Sequence, residues 1–206
     1  CSVFDVHAPM NTFLRKVRIA LTPRSWLLAS RLSNGAVVYG RNRPGYGGRG
    51  VYLFRDAIEP ELAVLDRFLE PSGTMFDIGA NTGVYTLKAA KHLAAAGGTV
   101  VALEPFPEVF AILCSSVRKN RLGNVRVRNL CAGKRTGATD FWMNFEKPNS
   151  FSLLKRDGRA SPSVFHKTGI SARSAVIPLP GMCAGMTTIC PVWRSSGLPR
   201  RASWIS

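Results

Sequence analysis

The run Asp77-Ile78-Gly79-Ala80-Asn81-Thr82-Gly83 constrains this chain more than any other stretch. Ahead of it, Thr74-Met75-Phe76-Asp77-Ile78 reads as a short strand, and behind it the residues from Val84 to about Ala96 read as a helix stopped by Gly97-Gly98. A strand that passes into a helix through two glycines is the opening of a βαβ unit. A second unit follows: Thr99 to Leu103 as a strand closed by Glu104-Pro105, a helix from about Pro107 to Arg121, and a third strand from Val125 to Asn129. Two such units in series imply an α/β fold with a parallel, doubly wound sheet and right-handed crossovers.

Upstream, Pro60 opens an expected helix with Leu62, Leu65, Phe68 and Leu69 on one face, ended by Pro71-Ser72-Gly73. Residues 1–56 are poorly periodic. They hold a basic amphipathic stretch, in which Phe13, Leu14, Val17 and Leu21 alternate with Arg15, Lys16 and Arg18, and then a Gly-, Arg- and Asn-rich segment from Gly35 to Gly50. The reading there is a solvated lead-in helix followed by short strands and turns. Downstream, Thr139 to Phe145 and Ala172 to Ile177 carry strand-like residues.

A glycine loop after the first strand of such a sheet binds nucleotide-like ligands, because backbone can approach the ligand closely and the next helix offers free N–H groups. The dinucleotide fingerprint requires a middle glycine, where this loop has Asn81, and here an acid, Asp77, precedes the first glycine. A carboxylate at the strand end repels a diphosphate and suits a cationic ligand. S-adenosylmethionine, with its ammonium and sulfonium charges, is such a ligand. Glu104, at the end of the second strand, is placed to accept hydrogen bonds from two ribose hydroxyls.

Between about Val51 and Ile177 the sequence resembles the FkbM-type methyltransferases, S-adenosylmethionine-dependent enzymes of Rossmann-like fold. The residues carrying the resemblance are Glu59-Pro60-Glu61, Phe76 to Gly83 with Tyr85-Thr86-Leu87, Ala102-Leu103-Glu104-Pro105 with Pro107-Glu108, Asn120, Asn124-Val125, and Ala132-Gly133 followed by Gly137. The resemblance implies a class I methyltransferase sheet and S-adenosyl-L-methionine as cofactor. Gly79 and Gly83 would admit the cofactor close to the backbone, Asp77 and Asn81 would organise its amino-acid end, Glu104 would hold its ribose, and Glu59 would face the pocket. Tyr85 and Phe76 are read as core packing, and His92 as a surface histidine. The implied reaction is O-methylation of a hydroxyl on a sugar, polyketide or similar small molecule, with the alternative of a non-catalytic S-adenosylmethionine-binding remnant. No catalytic base is identified. The family's fourth strand ends in a lysine-isoleucine-aspartate-valine-glutamate-glycine run that this sequence lacks, so the sheet is expected to be incomplete after its third core strand.

The net charge of +16 raises nucleic acid as a partner, but its distribution argues against a specific site. Residues 1–50 carry eight Lys/Arg against one acid and residues 151–206 again eight against one, while residues 51–150 hold twelve against ten. The expected globular part is nearly neutral. With 46% apolar and 19% charged residues the chain is not of a disordered class, and no run of about 18 uncharged apolar residues marks a membrane span. Five cysteines without a C-x-x-C pair and three distant histidines indicate neither a metal site nor a disulfide framework. A cytoplasmic location is expected.

The expected organisation is a basic lead-in over residues 1–56, a partial methyltransferase domain over 57–177, and a non-matching tail over 178–206. Because the first residue is Cys, the chain is read as beginning inside a longer frame. In the tail, prolines and glycines interrupt every periodic stretch, and no acid follows Asp157. The tail is read as a frameshifted translation: across Trp204-Ile205, reading from the third base of each codon forces an aspartate codon. Without a fourth strand, Met75 to Ile78 would be left as an apolar edge.

Overall fold

A computed structural model of the chain describes residues 3–4, 11–44, 46–133, 136–144, 150–153, 169–178 and 187–189. At its centre the strands β4 (Thr74–Ile78), β5 (Thr99–Leu103) and β6 (Val125–Arg128) lie parallel in that order. They are linked through the helices α3 (Val84–Leu93) and α4 (Pro107–Lys119). Both helices start where the sequence signals them. Gly83, in the left-handed region at φ 84°, opens α3, and Pro107 occupies the first turn of α4. After Leu93 the chain tightens into a 3₁₀ turn, Ala94–Ala96, which Gly97 ends at φ 77°.

Three expectations need correction. The helix expected from Pro60 is instead a staircase of 3₁₀ turns, Arg55–Ile58, Pro60–Ala63 and Leu65–Phe68. Val64, at φ −117° and ψ 0°, interrupts the helical path between the last two. Leu62, Leu65 and Leu69 are buried as expected, whereas Phe68 is 44% exposed.

The second correction concerns the lead-in. Residues 1–56 contain α1 (Thr12–Leu21), β2 (Leu27–Arg31), β3 (Val37–Arg41) and α2 (Gly48–Phe54), with β1 (Val3–Phe4) parallel to β2 and β2–β3 an antiparallel hairpin. The hairpin is integrated into the core. Leu32, Ala36, Val38 and Val51 share one apolar cluster with Leu62, Leu65, Met75, Leu87, Leu93 and Val100. Polar bonds fix it to α4: the Tyr39 amide donates to Ser116 Oγ at 2.9 Å, and Asn120 both accepts from the Val37 amide and donates to its carbonyl. The short strands expected here are present, and with four consecutive buried residues in each they belong to the core rather than to a solvated lead-in.

The third correction concerns the edge. Strand β7 (Leu130–Gly133) and the strands β8 (Gly137–Asn144), β9 (Ser150–Leu153) and β10 (Gly169–Pro178) form a second, mixed sheet in the order β7-β10-β8-β9. Then β11 (Thr187–Ile189) pairs parallel with Met75 to Asp77 on the outer side of β4. The central sheet is therefore β11-β4-β5-β6, and β4 is not an edge. The rest of the expected non-matching tail lies outside the described residues. Strand order reverses at β4, so a crevice opens beyond its carboxyl end, the place where ligands bind in open α/β sheets.

Candidate functional site

Five residues connect β4 to α3, and their path is set by backbone bonds to the neighbouring strand. The amides of Gly79 and Ala80 both donate to the Leu103 carbonyl, at 2.8 and 3.0 Å, and the Gly83 amide closes the turn onto the Ala80 carbonyl. Gly79, Asn81 and Gly83 all have positive φ, at 79°, 50° and 84°. The two glycines serve different ends. A methyl group on Gly83 would lie 2.2 Å from Leu113 Cδ1, so its bareness allows α4 to pack. At Gly79 no atom of the described residues lies within 4 Å of the Cβ position, so that glycine is open on its side-chain side. Asn81 is among the residue types that tolerate the left-handed region best.

Asp77 and Glu104 are each only 1% exposed. Asp77 accepts a hydrogen bond from the Thr86 hydroxyl through Oδ2, while its Oδ1 is buried with no hydrogen-bond partner. Burial pushes its carboxyl up to about 6, against the lowering effect of Thr86. Glu104 is shared between two amides: Asn81 N–H donates to Oε2 and Phe106 N–H to Oε1, both at 2.8 Å. Burial again dominates and, helped by the nearby charge of Asp77, raises Glu104 to about 7. The Asn129 side chain donates to the carbonyls of Glu104 and Pro105, holding the strand end that carries this carboxylate.

Asn81 adds a second orphan. Its Oδ1 is buried without a hydrogen-bond partner, facing the backbone at Gly47, where a Cβ would come within 3.0 Å of it. Two buried acceptors near one loop with no donor are costly, by roughly 1–3 kcal/mol each. A donor-rich, positively charged ligand would meet that need.

Residues 46–48 pass against this loop at Gly47 and, with Arg41 and Arg43, are pinned at several points. Tyr46, 1% exposed, donates to Glu108 Oε2 at 2.8 Å and meets Phe106 edge-on at 6.3 Å between centroids. Arg41 pairs with the other oxygen of Glu108, and Arg43 stacks over the Tyr46 ring at 5.5 Å. Burial and then Glu108 push the Tyr46 phenol up to about 12. At the base of the segment, Gly40 and Gly48 touch backbone to backbone: a Cβ on Gly40 would lie 2.2 Å from the Gly48 Cα.

Of the six candidate residues, Asp77, Gly79, Asn81, Gly83 and Glu104 come together at the ends of β4 and β5. Glu59 sits half-buried where one 3₁₀ turn passes into the next. It lies near Tyr85, whose phenol is raised above its ordinary range by burial and then by the charges of Glu59, Glu61 and Asp77. Tyr85 packs against the main core cluster, Phe76 is partly buried in β4, and His92 is partly exposed at 3.7 Å from Asp66, away from the loop. Sequence reading missed Thr86, Asn129 and the Tyr46–Glu108 pair as supports of the site. Only Thr86 carried a signal, as the polar residue in the first turn of a helix that follows a strand-end acid. No helix among the described residues is long and apolar enough to cross a membrane.

No family model matches the chain. Among curated proteins, the 31-O-demethyl-FK506 methyltransferase FkbM of Streptomyces tacrolimicus is 36% identical over 93 residues, covering 45% of this chain and 34% of the relative. The chain thus spans about a third of the length of the curated relative it matches. Among solved structures, TYW2 of P. horikoshii in complex with MeSAdo is similar at a TM-score of 0.36 and 14% identity, over 60% of this chain and 48% of that one. Coclaurine N-methyltransferase bound to N-methylheliamine and SAH is similar at 0.31 and 23%, over 35% and 22%. The curated match is in line with the resemblance read from the glycine loop and the Glu-Pro turn: over 93 residues this α/β chain is similar to a part of an FkbM-type methyltransferase.

Proposed function

We propose that this chain is the cofactor-binding part of an S-adenosylmethionine-dependent methyltransferase, acting on a hydroxyl of a sugar, polyketide or similar small molecule. The observation that carries the reading is the pair of orphaned, buried oxygens, Asp77 Oδ1 and Asn81 Oδ1, in a loop whose Gly79 is open on its side-chain side. That donor-poor, acceptor-rich corner fits an ammonium and a sulfonium. When bound, the cofactor supplies an electrophilic methyl group.

The chain's own residues bind and orient. Asp77, fixed by Thr86, would offer its unpartnered oxygen to the cationic amino-acid end, and Asn81 would offer its amide oxygen from the Gly47 side of the loop. Glu104 uses one lone pair on each oxygen for the Asn81 and Phe106 amides, which leaves both oxygens capacity for ribose hydroxyls. Gly79 and Gly83 keep the loop free of side chains, and Glu59 adds negative charge on the Tyr85 side. Alignment of the acceptor would supply most of the acceleration in such a displacement. The second reading is a cofactor-binding remnant without catalysis.

Titration calorimetry with S-adenosylhomocysteine tests the shared part of both readings. Saturable one-to-one binding is expected, and absence of heat at millimolar ligand would refute both. Transfer of a labelled methyl group to a panel of hydroxylated acceptors separates them, since the remnant would bind and transfer nothing.

A further inference from the structure

The helix α1 is mounted with its apolar side outward. Phe13 is 70% exposed, Leu14 48%, Val17 39% and Leu21 79%, and no residue of the helix is buried. At about 100° per residue these four side chains and Ala20 occupy one arc of roughly 120°. The opposite side, with Arg15 and Ile19, faces the protein and is held by polar bonds: Arg15 donates to the Leu53 carbonyl at 2.7 Å, and Asn42 donates to the main-chain carbonyls of Ile19 and Thr22 at 3.0 and 2.7 Å. An amphipathic helix ordinarily buries its stripe against its own core. This one is tethered by polar bonds that keep the stripe turned away.

Charge identifies what covers it. Exposed Lys16 flanks the arc on one side, and exposed Arg24 lies just beyond the helix. From residue 6 to residue 55 the sequence has nine Lys/Arg and no acid. A second copy docked through the same face would bring these cations together, and a nucleic acid could stack on Phe13 but would leave Leu14, Val17 and Leu21 without an apolar partner. Apolar side chains framed by lysine and arginine suit an interface that is oily within and anionic at its rim. We propose that α1 is a membrane-surface element, which lays Phe13, Leu14, Val17 and Leu21 into the headgroup region of a bilayer containing anionic lipid.

The test is flotation of the full chain on a density gradient, which separates bound protein from aggregates. Vesicles of phosphatidylcholine alone are compared with vesicles holding about one-third phosphatidylglycerol. Wild type is expected to float with the anionic vesicles only, and about 0.5 M salt to cut the floated fraction several-fold. Phe13→Ser/Leu21→Ser should lower it about tenfold, from loss of the inserting side chains. Lys16→Glu/Arg24→Glu should lower it comparably. All four side chains are exposed, so circular dichroism melts should match wild type. Three outcomes would overturn the proposal: no flotation, equal flotation on both vesicle types, or an Ser-substituted double variant that floats like its parent. In the first case, a concentration-dependent dimer abolished by Phe13→Ser/Leu21→Ser would assign the stripe to a second copy.

Discussion

Two aspartates, one at each end of the chain's structural core, are treated in opposite ways. Asp56 ties the turn between β2 and β3 to α3: it accepts from the Ser33 amide and hydroxyl and from Lys88 Nζ, each at 2.8 Å. Burial would raise its carboxyl, but Lys88 and the two Ser33 bonds hold it below the ordinary value. Asp77 has one hydroxyl for a partner, one oxygen with none, and a carboxyl raised by burial. A carboxylate that a protein needs for its own cohesion is surrounded by donors. One kept for a ligand is left short of them, at a cost to the folded state.

The largest effect expected from this contrast is on binding. Asp77→Asn should weaken S-adenosylhomocysteine affinity about 100-fold or more, since a charged hydrogen bond to a buried partner is lost, and should leave the melting temperature unchanged or raised. Asp56→Asn should do the reverse. It leaves Lys88 buried without its countercharge, costs about 1–3 kcal/mol of stability, and changes affinity by less than about threefold. Calorimetry and thermal melts on the two variants decide the matter, and a destabilised Asp77→Asn with intact binding would break the comparison.

Gly83→Ala and Gly79→Ala sharpen it next. Both meet positive φ, costing about 1–2 kcal/mol, but only the first collides with Leu113, adding about 1–3 kcal/mol. Chemical denaturation should therefore rank Gly83→Ala as the less stable, and ligand titration should find the greater loss of affinity per unit of lost stability in Gly79→Ala.

The smallest effect is in pH. Asp77 and Glu104 have folded values near 6 and 7, above their ordinary 3.8 and 4.5. Their stabilising contribution is whole below about pH 4 and is lost as pH rises through 6 to 7. Asp56, lowered on folding, contributes above the ordinary aspartate value and loses that contribution as pH falls through its folded value. The ligand-free melting temperature should therefore decline by a few degrees between pH 5 and 8, and the upshift caused by S-adenosylhomocysteine should grow over the same interval. A flat upshift would mean that neither carboxylate meets the ligand.

The order strand, glycine loop, helix, strand was legible because each boundary is written in local chemistry: Gly83 and Gly97 at positive φ, Pro107 in a first turn, Asp77 and Glu104 at strand ends. Short strands were expected ahead of residue 56, but their bounds and their place in the core were not legible, since strands buried on both faces lose the alternation that fixes both. The turns at 55–68 were misread because leucines spaced by three and four serve a string of 3₁₀ turns as well as they serve a helix. Within the site the carboxylates could be chosen from sequence. Their poverty of partners could not, for it depends on Thr86, Asn129 and residues 46–48 arriving from elsewhere in the chain.

The contact of Gly40 with Gly48 bears on how residues 46–48 keep their place against Asn81. No side chain acts as a spacer between β3 and α2, so the distance between them is fixed by main-chain atoms alone, which have almost no freedom to adjust. The intervening residues behave as a bracket bolted directly to a strand. Tolerance at the far end, beside the amide of Asn81, is inherited from the hairpin, and a single added methyl at the bolt would be felt there as misalignment rather than as lost cohesion.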